Sequence, residues 1–343
     1  MARRLPVYLL LDVSESMAGR EIESLTTAIS SITSTLRSNP YALETVWVSV
    51  IGFAGKAKTL SPLRELVSFV APELPVGGGT NLAVGLEHLM KTIDADVRVG
   101  TEGQKGDWKP VVFLLTDGRP TDSPNAAVQK WNSNYRRKAN LVAVSIGGQA
   151  DLSVLRQLSE DVIVFNDAAP DAFAKFAQWI SSSVSTQSQN AESGRGDRIS
   201  LSKGDGDVVR EVDERETNTN SGSVDERYAV FVGKCSKNKK PYLLKYQLAE
   251  GRPKYRFLQG VRLDDTYFEL TDTGKKATSA STSDIDQGAP CPHCNSEMGF
   301  AVCNCGNLIC APGEGGVVVC SWCGNRGEFH YSSSGFNVNR GRG

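Results

Sequence analysis

The 343-residue sequence contains no apolar run near the ~20 residues that a membrane-spanning helix requires. No leader is expected either. After MARR only a short apolar stretch precedes Asp12, too short for the core of a signal peptide and suited to a first strand. A cytoplasmic protein without membrane contact is the expectation. Charge of one sign is also lacking: 38 basic against 39 acidic residues leave a net −1. That balance argues against coating nucleic acid or an anionic membrane as the main task. Catalytic signatures are missing as well. There is no nucleophile elbow, no Gly-x-x-x-x-Gly-Lys phosphate loop and no His-Glu-x-x-His pair. Cysteine is sparse until late in the chain. Of eight, Cys235 stands alone and the other seven fall between 291 and 323. Packed into CxxC and CxC pairs in a chain without a leader, they indicate a metal site rather than disulfides.

What is present suggests about two domains of ordinary core size, with 40% hydrophobic and 22% charged residues. Five short runs are almost continuously apolar: 5–11, 45–53, 110–116, 140–146 and 161–165. Such runs suit strands buried on both faces of a parallel sheet. Between them, 20–37, 81–96, 124–138, 151–159 and 170–183 read as helices. Ile22, Leu25, Ala28, Ile29, Ile32 and Leu36 make the stripe of a helix packed on a sheet. The alternation predicts a doubly wound, mainly parallel α/β domain of Rossmann-like architecture over 1–183. Residues 184–224, rich in Ser, Gly, Asn and charge, read as a flexible polar linker. A β-hairpin subdomain is expected over 225–274, a small β-rich zinc ribbon over 289–331 and a mobile tail over 332–343.

Three oxygen-rich segments sit at the carboxyl ends of expected strands or at helix starts, where one sheet edge gathers ligands. Asp12, Ser14 and Ser16 alternate at the first strand's exit. Thr80 follows three glycines and opens a helix. Asp117 ends the strand 110–116. Any one of these alone is an ordinary cap or turn. Three in order fit a hard divalent cation, which takes oxygen ligands and retains waters. The three hydroxyls are neutral; with Asp12 and Asp117 acting partly through water, the ion is under-compensated, so an open position would draw a partner's carboxylate. The site therefore suits docking better than catalysis.

The segments VYLLLDVSESM, GGGTN and FLLTDGRPTD resemble a von Willebrand factor A domain with its metal-ion-dependent adhesion site. The resemblance implies Asp12, Ser14, Ser16, Thr80 and Asp117 as ligands of Mg²⁺, or of Mn²⁺ or Ca²⁺. Glu15 departs from the family pattern, where glycine is common, and would place an extra carboxylate at the rim.

The cysteine segment reads Cys291-x-x-Cys294, Cys303-x-Cys305, Cys310 and Cys320-x-x-Cys323. Pairs of this kind close structural tetrahedral zinc sites. Seven cysteines exceed one site, and His330 would supply an eighth ligand, enough for two zinc ions. One partition joins Cys303 and Cys305 to Cys320 and Cys323, leaving Cys291, Cys294 and Cys310 with His330. Another joins the two CxxC pairs. Sequence spacing leaves the choice open. His293, inside a CxxC pair, reads as a spectator.

An amino-terminal A domain followed by VGKCSKNKKPYLLKY and this ribbon resembles the tellurite-resistance TerY family, including its C-terminal metal-binding domain. The resemblance implies a bacterial or phage protein of stress response or defence, working with a serine/threonine kinase and a PPM-type phosphatase. The expected function is a non-enzymatic adaptor: the adhesion site docks a partner's acidic residue, and the zinc module adds a second surface. The alternative is a nucleic-acid-associated adaptor. It would use Lys234, Lys237, Lys239, Lys240 and Lys245 with Tyr242, Tyr246 and Tyr255.

Overall fold

The computed structural model describes residues 3–103, 105–148, 150–168, 171–192, 201–213, 228–249, 254–272, 278–286, 288–312, 316–329 and 337–340. The A domain runs in the order β1 (Leu5–Asp12), α1 (Arg20–Arg37), α2 (Pro40–Thr45), β2 (Val46–Phe53), β3 (Ala57–Glu65), α3 (Leu82–Asp96), β4 (Val111–Thr116), α4 (Asn125–Asn134), β5 (Asn140–Ile146), α5 (Leu152–Leu158), β6 (Asp161–Phe165), α6 (Ala172–Glu192) and β7 (Val209–Glu211). These strands form one sheet ordered β3-β2-β1-β4-β5-β6-β7. The five inner strands are parallel, and the edge strands β3 and β7 are antiparallel to their neighbours.

Strand periodicity divides the apolar residues between two layers. Leu5, Val7, Leu9 and Leu11 of β1 face α1 and α6, against Leu25, Ile29, Phe176 and Ile180. Tyr8 and Leu10 face the opposite layer, with Leu86, Leu89 and Met90 of α3 and Trp131 of α4. The near-continuous apolar runs are thus a consequence of helices covering both faces. Each parallel crossover delivers its strand's carboxyl end to one edge of the sheet, which is why β1 and β4 end side by side.

The second domain contains β8 (Tyr228–Lys234), β9 (Pro241–Leu248), β10 (Tyr255–Arg262), α7 (Thr266–Leu270), β11 (Thr278–Ser281), β12 (Met298–Val302), β13 (Leu308–Ala311), β14 (Gly316–Val319), β15 (Arg326–Phe329) and β16 (Asn337–Arg340). Its main sheet is ordered β10-β9-β8-β13-β12. The hairpin strands and the cysteine-bearing strands therefore share a sheet, joined where β13 pairs parallel with β8. Two separate modules over 225–274 and 289–331 are replaced by one interleaved domain. The segment 184–224 also holds more order than its composition suggests. α6 continues to Glu192 because Val184, Gln187 and Ser188 turn inward, and β7 adds to the A-domain sheet. Within the expected tail, β16 pairs with β11.

The domains are packed together. Val230, Leu243, Leu263, Tyr267 and Leu270 of the second domain belong to the same apolar cluster as Met17, Ile22, Leu74 and Val76 of the first.

Phe113 on β4 is 0% exposed and meets Trp179 of α6 edge-on, with ring centroids 6.2 Å apart. Phe113→Ala should cost about 3–5 kcal/mol of stability, read from urea unfolding at unchanged slope. A loss below about 1 kcal/mol would mean the sheet–helix layer is not packed as described.

Candidate metal sites

At the carboxyl edge of the sheet, β1 ends in Asp12 and the chain turns through Ser14 to Ser16. The Ser14 N–H donates to Asp12 Oδ1 at 3.0 Å, which curls the loop over its own carboxylate. The Thr116 hydroxyl, at the end of β4, donates to Asp12 Oδ2 at 2.5 Å. Ser16 Oγ donates to Asp117 Oδ1 at 2.8 Å and lies 3.0 Å from Ser14 Oγ. Thr80 arrives from the glycine loop. Gly77 N–H donates to the Val13 carbonyl at 2.8 Å, and Gly79 takes a φ of +88° that few side chains tolerate. A Cβ placed on Gly118 would lie 3.8 Å from Thr80 Oγ1 and 3.9 Å from Ser16 Oγ, so the missing side chain leaves space between these hydroxyls. The structure thus brings all five oxygen-bearing residues together. Neighbours fix the outer layer. The Asp122 carboxylate accepts from the Leu82 and Ala83 N–H groups at 3.2 and 2.9 Å, capping α3. Thr121 Oγ1 donates to Asn81 Oδ1 at 3.0 Å.

Exposure is 0% for Asp12 and Ser14, 1% for Ser16, 2% for Thr80 and 7% for Asp117. Burial pushes the Asp12 carboxyl up to about 6, against the lowering effect of its bonds from Ser14 and Thr116. The donors around it are neutral, so a buried negative charge is left without a counter-charge. An oxygen-ligated divalent cation fits that deficit.

Glu15 does not stand at an open rim. It is 2% exposed, and the Tyr267 hydroxyl of α7 donates to its Oε1 at 2.6 Å. Burial and the nearby Glu15 charge raise the Tyr267 phenol well above its ordinary value, so it stays a donor.

The cysteines form two four-sulfur clusters. Cys235, Cys291, Cys294 and Cys310 make one; Cys303, Cys305, Cys320 and Cys323 make the other; sulfurs within each lie within 4.8 Å. Sulfur pairs stand at 3.6 Å (Cys294–Cys310), 3.7 Å (Cys303–Cys323) and 3.9 Å (Cys305–Cys320). A disulfide needs about 2.05 Å, whereas the edge of a zinc tetrahedron with bonds of about 2.3 Å is about 3.8 Å.

Four related turns present these sulfurs, three of equal length and the one at Cys303 a residue shorter. The N–H groups of Lys239, Asn295, Gly306 and Gly324 return to the carbonyls of Cys235, Cys291, Cys303 and Cys320 at 2.8–2.9 Å. These four residues carry positive φ values of 62°, 56°, 83° and 77°. The same cysteines donate their own N–H groups to the carbonyls of Lys240, Ser296, Asn307 and Asn325. Freed N–H groups then reach the sulfurs: Ser236 N–H to Cys310 at 3.1 Å and Trp322 N–H to Cys320 at 3.4 Å. A hydrogen bond from the Cys291 thiol, with Ser236 assisting, brings Cys310 down to about 5 despite burial. Burial opposes ionisation of Cys305, but the Asn307 N–H groups bring it down to about 7. One thiol in each cluster is therefore poised as thiolate, the form a metal binds.

Cys235 is the ligand candidate that sequence spacing missed. Its turn, Cys-Ser-Lys-Asn-Lys-Lys, lacks the second cysteine of a CxxC pair, and Lys239 occupies the positive-φ position usually given to glycine or asparagine. The readable signal was a cysteine opening a hairpin turn of that same length. Four sulfurs complete the first cluster without His330, which lies outside the described residues. His293 Nε2 sits 2.8 Å from the Pro241 carbonyl, directed away from ligation.

Comparison with known proteins agrees with both halves. A model of the von Willebrand factor type A domain matches residues 7–179, and a model of the TerY-C metal binding domain matches residues 225–343. Matrilin-1 of Mus musculus is 26% identical over 159 residues, 44% of this chain and 30% of that protein. Inter-alpha-trypsin inhibitor heavy chain H6 of Homo sapiens is 26% identical over 161 residues, 45% of this chain and 12% of that protein. The chain thus spans less than a third of either relative. Among solved structures, a von Willebrand factor type A protein from Catenulispora acidiphila aligns with a TM-score of 0.42 and 16% identity, covering 54% of this chain and 43% of that one.

Elemental analysis of the purified protein should find two zinc ions per chain. Cys235→Ser should lower the content to one, and His330→Ala should leave two. Two ions retained in Cys235→Ser would remove Cys235 from the ligand set.

Proposed function

This chain belongs to the von Willebrand factor type A domain family, and on that premise we propose that it is a non-enzymatic adaptor that docks partner proteins through a bound Mg²⁺. Joined to a TerY-C metal-binding domain, the A domain makes the protein a metal-binding interaction module. In our reading Ser14 and Ser16 bind the ion directly, and Asp12, Thr80 and Asp117 bind it directly or through water. The ion supplies Lewis acidity toward a carboxylate. The chain's own residues hold and orient it and, with Thr116 donating to Asp12, keep the site's negative charge in place. The observation that carries the reading is the convergence of three hydroxyls and only two carboxylates in a buried pocket. With Asp12 and Asp117 acting partly through water, the directly bound neutral hydroxyls leave the ion's charge under-compensated, which favours an acidic ligand from outside. Two structural zinc ions, each held by four cysteines, complete the module.

A serine/threonine kinase and a PPM-type phosphatase are the partners we propose, in a stress-response or phage-defence role of the tellurite-resistance type, inside the cell. The TerY resemblance alone supports this part. Among the described residues no helix is long and apolar enough to cross a membrane. The nucleic-acid alternative loses most of its stacking platform, because Tyr242 and Tyr246, with Lys245, are each 0% exposed and Tyr255 is half-buried. Lys234 is also engaged, its ammonium lying over the Trp322 ring at 4.3 Å.

Two measurements test the adhesion site. Saturating Mg²⁺ at about 100 times its dissociation constant stabilises a single site by about 2.7 kcal/mol, a rise in melting temperature of roughly 5–10 °C for a domain of this size. Asp12→Ala should abolish that rise while the protein stays folded; an equal rise in the variant would exclude Asp12 as a ligand. Second, partners co-purifying from the native host with Mg²⁺ should be lost with Asp12→Ala, with Asp117→Ala and with chelator. Partners retained in all three cases would assign docking to another surface.

A further inference from the structure

The loop that bears Ser14 and Ser16 is not open to a partner in this structure. Its backbone and its extra carboxylate are held by the C-terminal domain. Tyr267 donates to Glu15, Gln259 Nε2 donates to the Ala18 carbonyl at 2.8 Å, and the Lys245 ammonium donates to the Ser16 carbonyl at 2.5 Å. The glycine loop before Thr80 is held in the same way. Gly78 N–H donates to Thr271 Oγ1 at 2.9 Å, and Lys56 N–H donates to the Leu270 carbonyl at 2.8 Å. The fit is close enough that Cβ atoms on Gly55 and Gly77 would meet Asp272 and Leu270 at 2.3 and 2.6 Å. A single segment, 259–272, therefore covers both loops that supply hydroxyl oxygens to the adhesion site.

We propose that this segment is a built-in occupant of the adhesion face, latched by the Tyr267–Glu15 hydrogen bond, and that an acidic partner reaches the face only when the cover lifts. The inference rests on the docking function proposed above. Two observations set the cover apart from permanent core. First, beside the apolar seat of Leu263, Tyr267 and Leu270, its contacts with the loops include polar ones: the buried Glu15 carboxylate against the Tyr267 phenol, the Ala18 carbonyl against Gln259, and the Gly78 N–H against Thr271. A competing ligand can replace these polar contacts group for group. Second, a cleft of about 420 Å³ remains open beside the latch, lined by Ile22, Leu74 and Val261 with Glu23, Arg262 and Glu269. The domains meet tightly at the loops and stand apart next to them, as a cover that closes on one edge does. Glu15 gains a role from this arrangement. Where the family pattern commonly has glycine, this chain places the group that the cover grips.

The test is hydrogen–deuterium exchange on the full-length, zinc-loaded protein without added Mg²⁺, paired with the rate of Mn²⁺ association by electron paramagnetic resonance. Wild type is compared with Tyr267→Phe and with Tyr267→Phe/Gln259→Ala. The cover predicts at least tenfold faster exchange of amides 13–19 and 77–80 in the double variant, a smaller rise in the single variant, and unchanged protection of β1 residues 5–11 and of β4. Mn²⁺ association should accelerate in step, at equal zinc content. Unchanged exchange at 13–19 in the double variant would overturn the proposal. So would loss of protection in β1 and β4 together with the loops, since the segment would then be part of the A-domain core. If the loops deprotect alone but Mn²⁺ binds to neither protein, the cover stands and the metal-docking function fails.

Discussion

Two carboxylates withdrawn from water at the carboxyl edge of a parallel sheet set the terms for the rest of this molecule. Asp12 and Asp117 are 0% and 7% exposed, and each receives a hydroxyl donor. Burying an ion costs several kcal/mol even after relaxation. The neutral donors to Asp12 recover part of that and leave its charge intact. The local sequence follows from this constraint. Side chains that reach the site carry hydroxyls, glycines keep its approaches narrow, and Asp122 is diverted to the start of α3, where it caps N–H groups without adding charge to the centre. An apolar residue at Ser16 or Thr116 would remove a hydroxyl donor from Asp117 or Asp12, respectively. On the function proposed above, a divalent cation would complete these electrostatics.

The C-terminal domain answers a different shortage. Its apolar clusters are small, and one is little more than Ala301, Ile309, Ala311 and Val318 around two cysteines. A core of that size supplies too little stability by itself. The four sulfur-presenting turns offset the shortage by fixing the loops that the clusters cannot. Register decides which cysteines meet. In the parallel pairing of β8 with β13, Gly233 lies opposite Leu308 and Lys234 opposite Ile309, so the next residues in line are Cys235 and Cys310. That pairing joins segments about 75 residues apart in sequence. No local spacing rule contains it.

The same distinction between local and long-range signals explains what the sequence disclosed. The parallel strands were legible because burial on both faces makes each a continuous apolar run. The residues proposed for the adhesion site could be proposed from sequence because Asp12, Ser14, Ser16 and Asp117 lie at or just after strand ends and Thr80 precedes a helix start, and topology brings these segments together. β3 was not, since as an edge strand it alternates half-buried and exposed positions, and neither was β7, three residues long in a polar stretch. The inward turn of Gln187 and Ser188 was hidden for a related reason. Polar residues facing α2 do not look like a helix face, yet Ser188 Oγ meets Thr45 Oγ1 at 2.7 Å. The burial of Glu15 was unreadable in principle, because its partner Tyr267 lies 252 positions away.

A cover tethered within the same chain changes what affinity means for the face beneath it. Tethering holds the effective concentration of the occupant near the millimolar range, so even modest contacts keep the face filled. The exposed Lys58–Glu269 ion pair adds little to that balance, as surface pairs contribute about 0–1 kcal/mol. The weight rests on the buried bonds to the two loops and on Leu263, Tyr267 and Leu270 in the shared apolar cluster. If the open form is one molecule in a hundred, a partner's apparent affinity falls by about a hundredfold, about 2.7 kcal/mol. The bound cation shifts that balance only if it interacts differently with the open and closed forms. Ser16 makes such a difference physically available. Its hydroxyl faces Asp117 in the adhesion site, while its carbonyl is held by Lys245 of the cover. Any adjustment of this residue on metal binding is transmitted through one peptide unit to the contact that keeps the face closed.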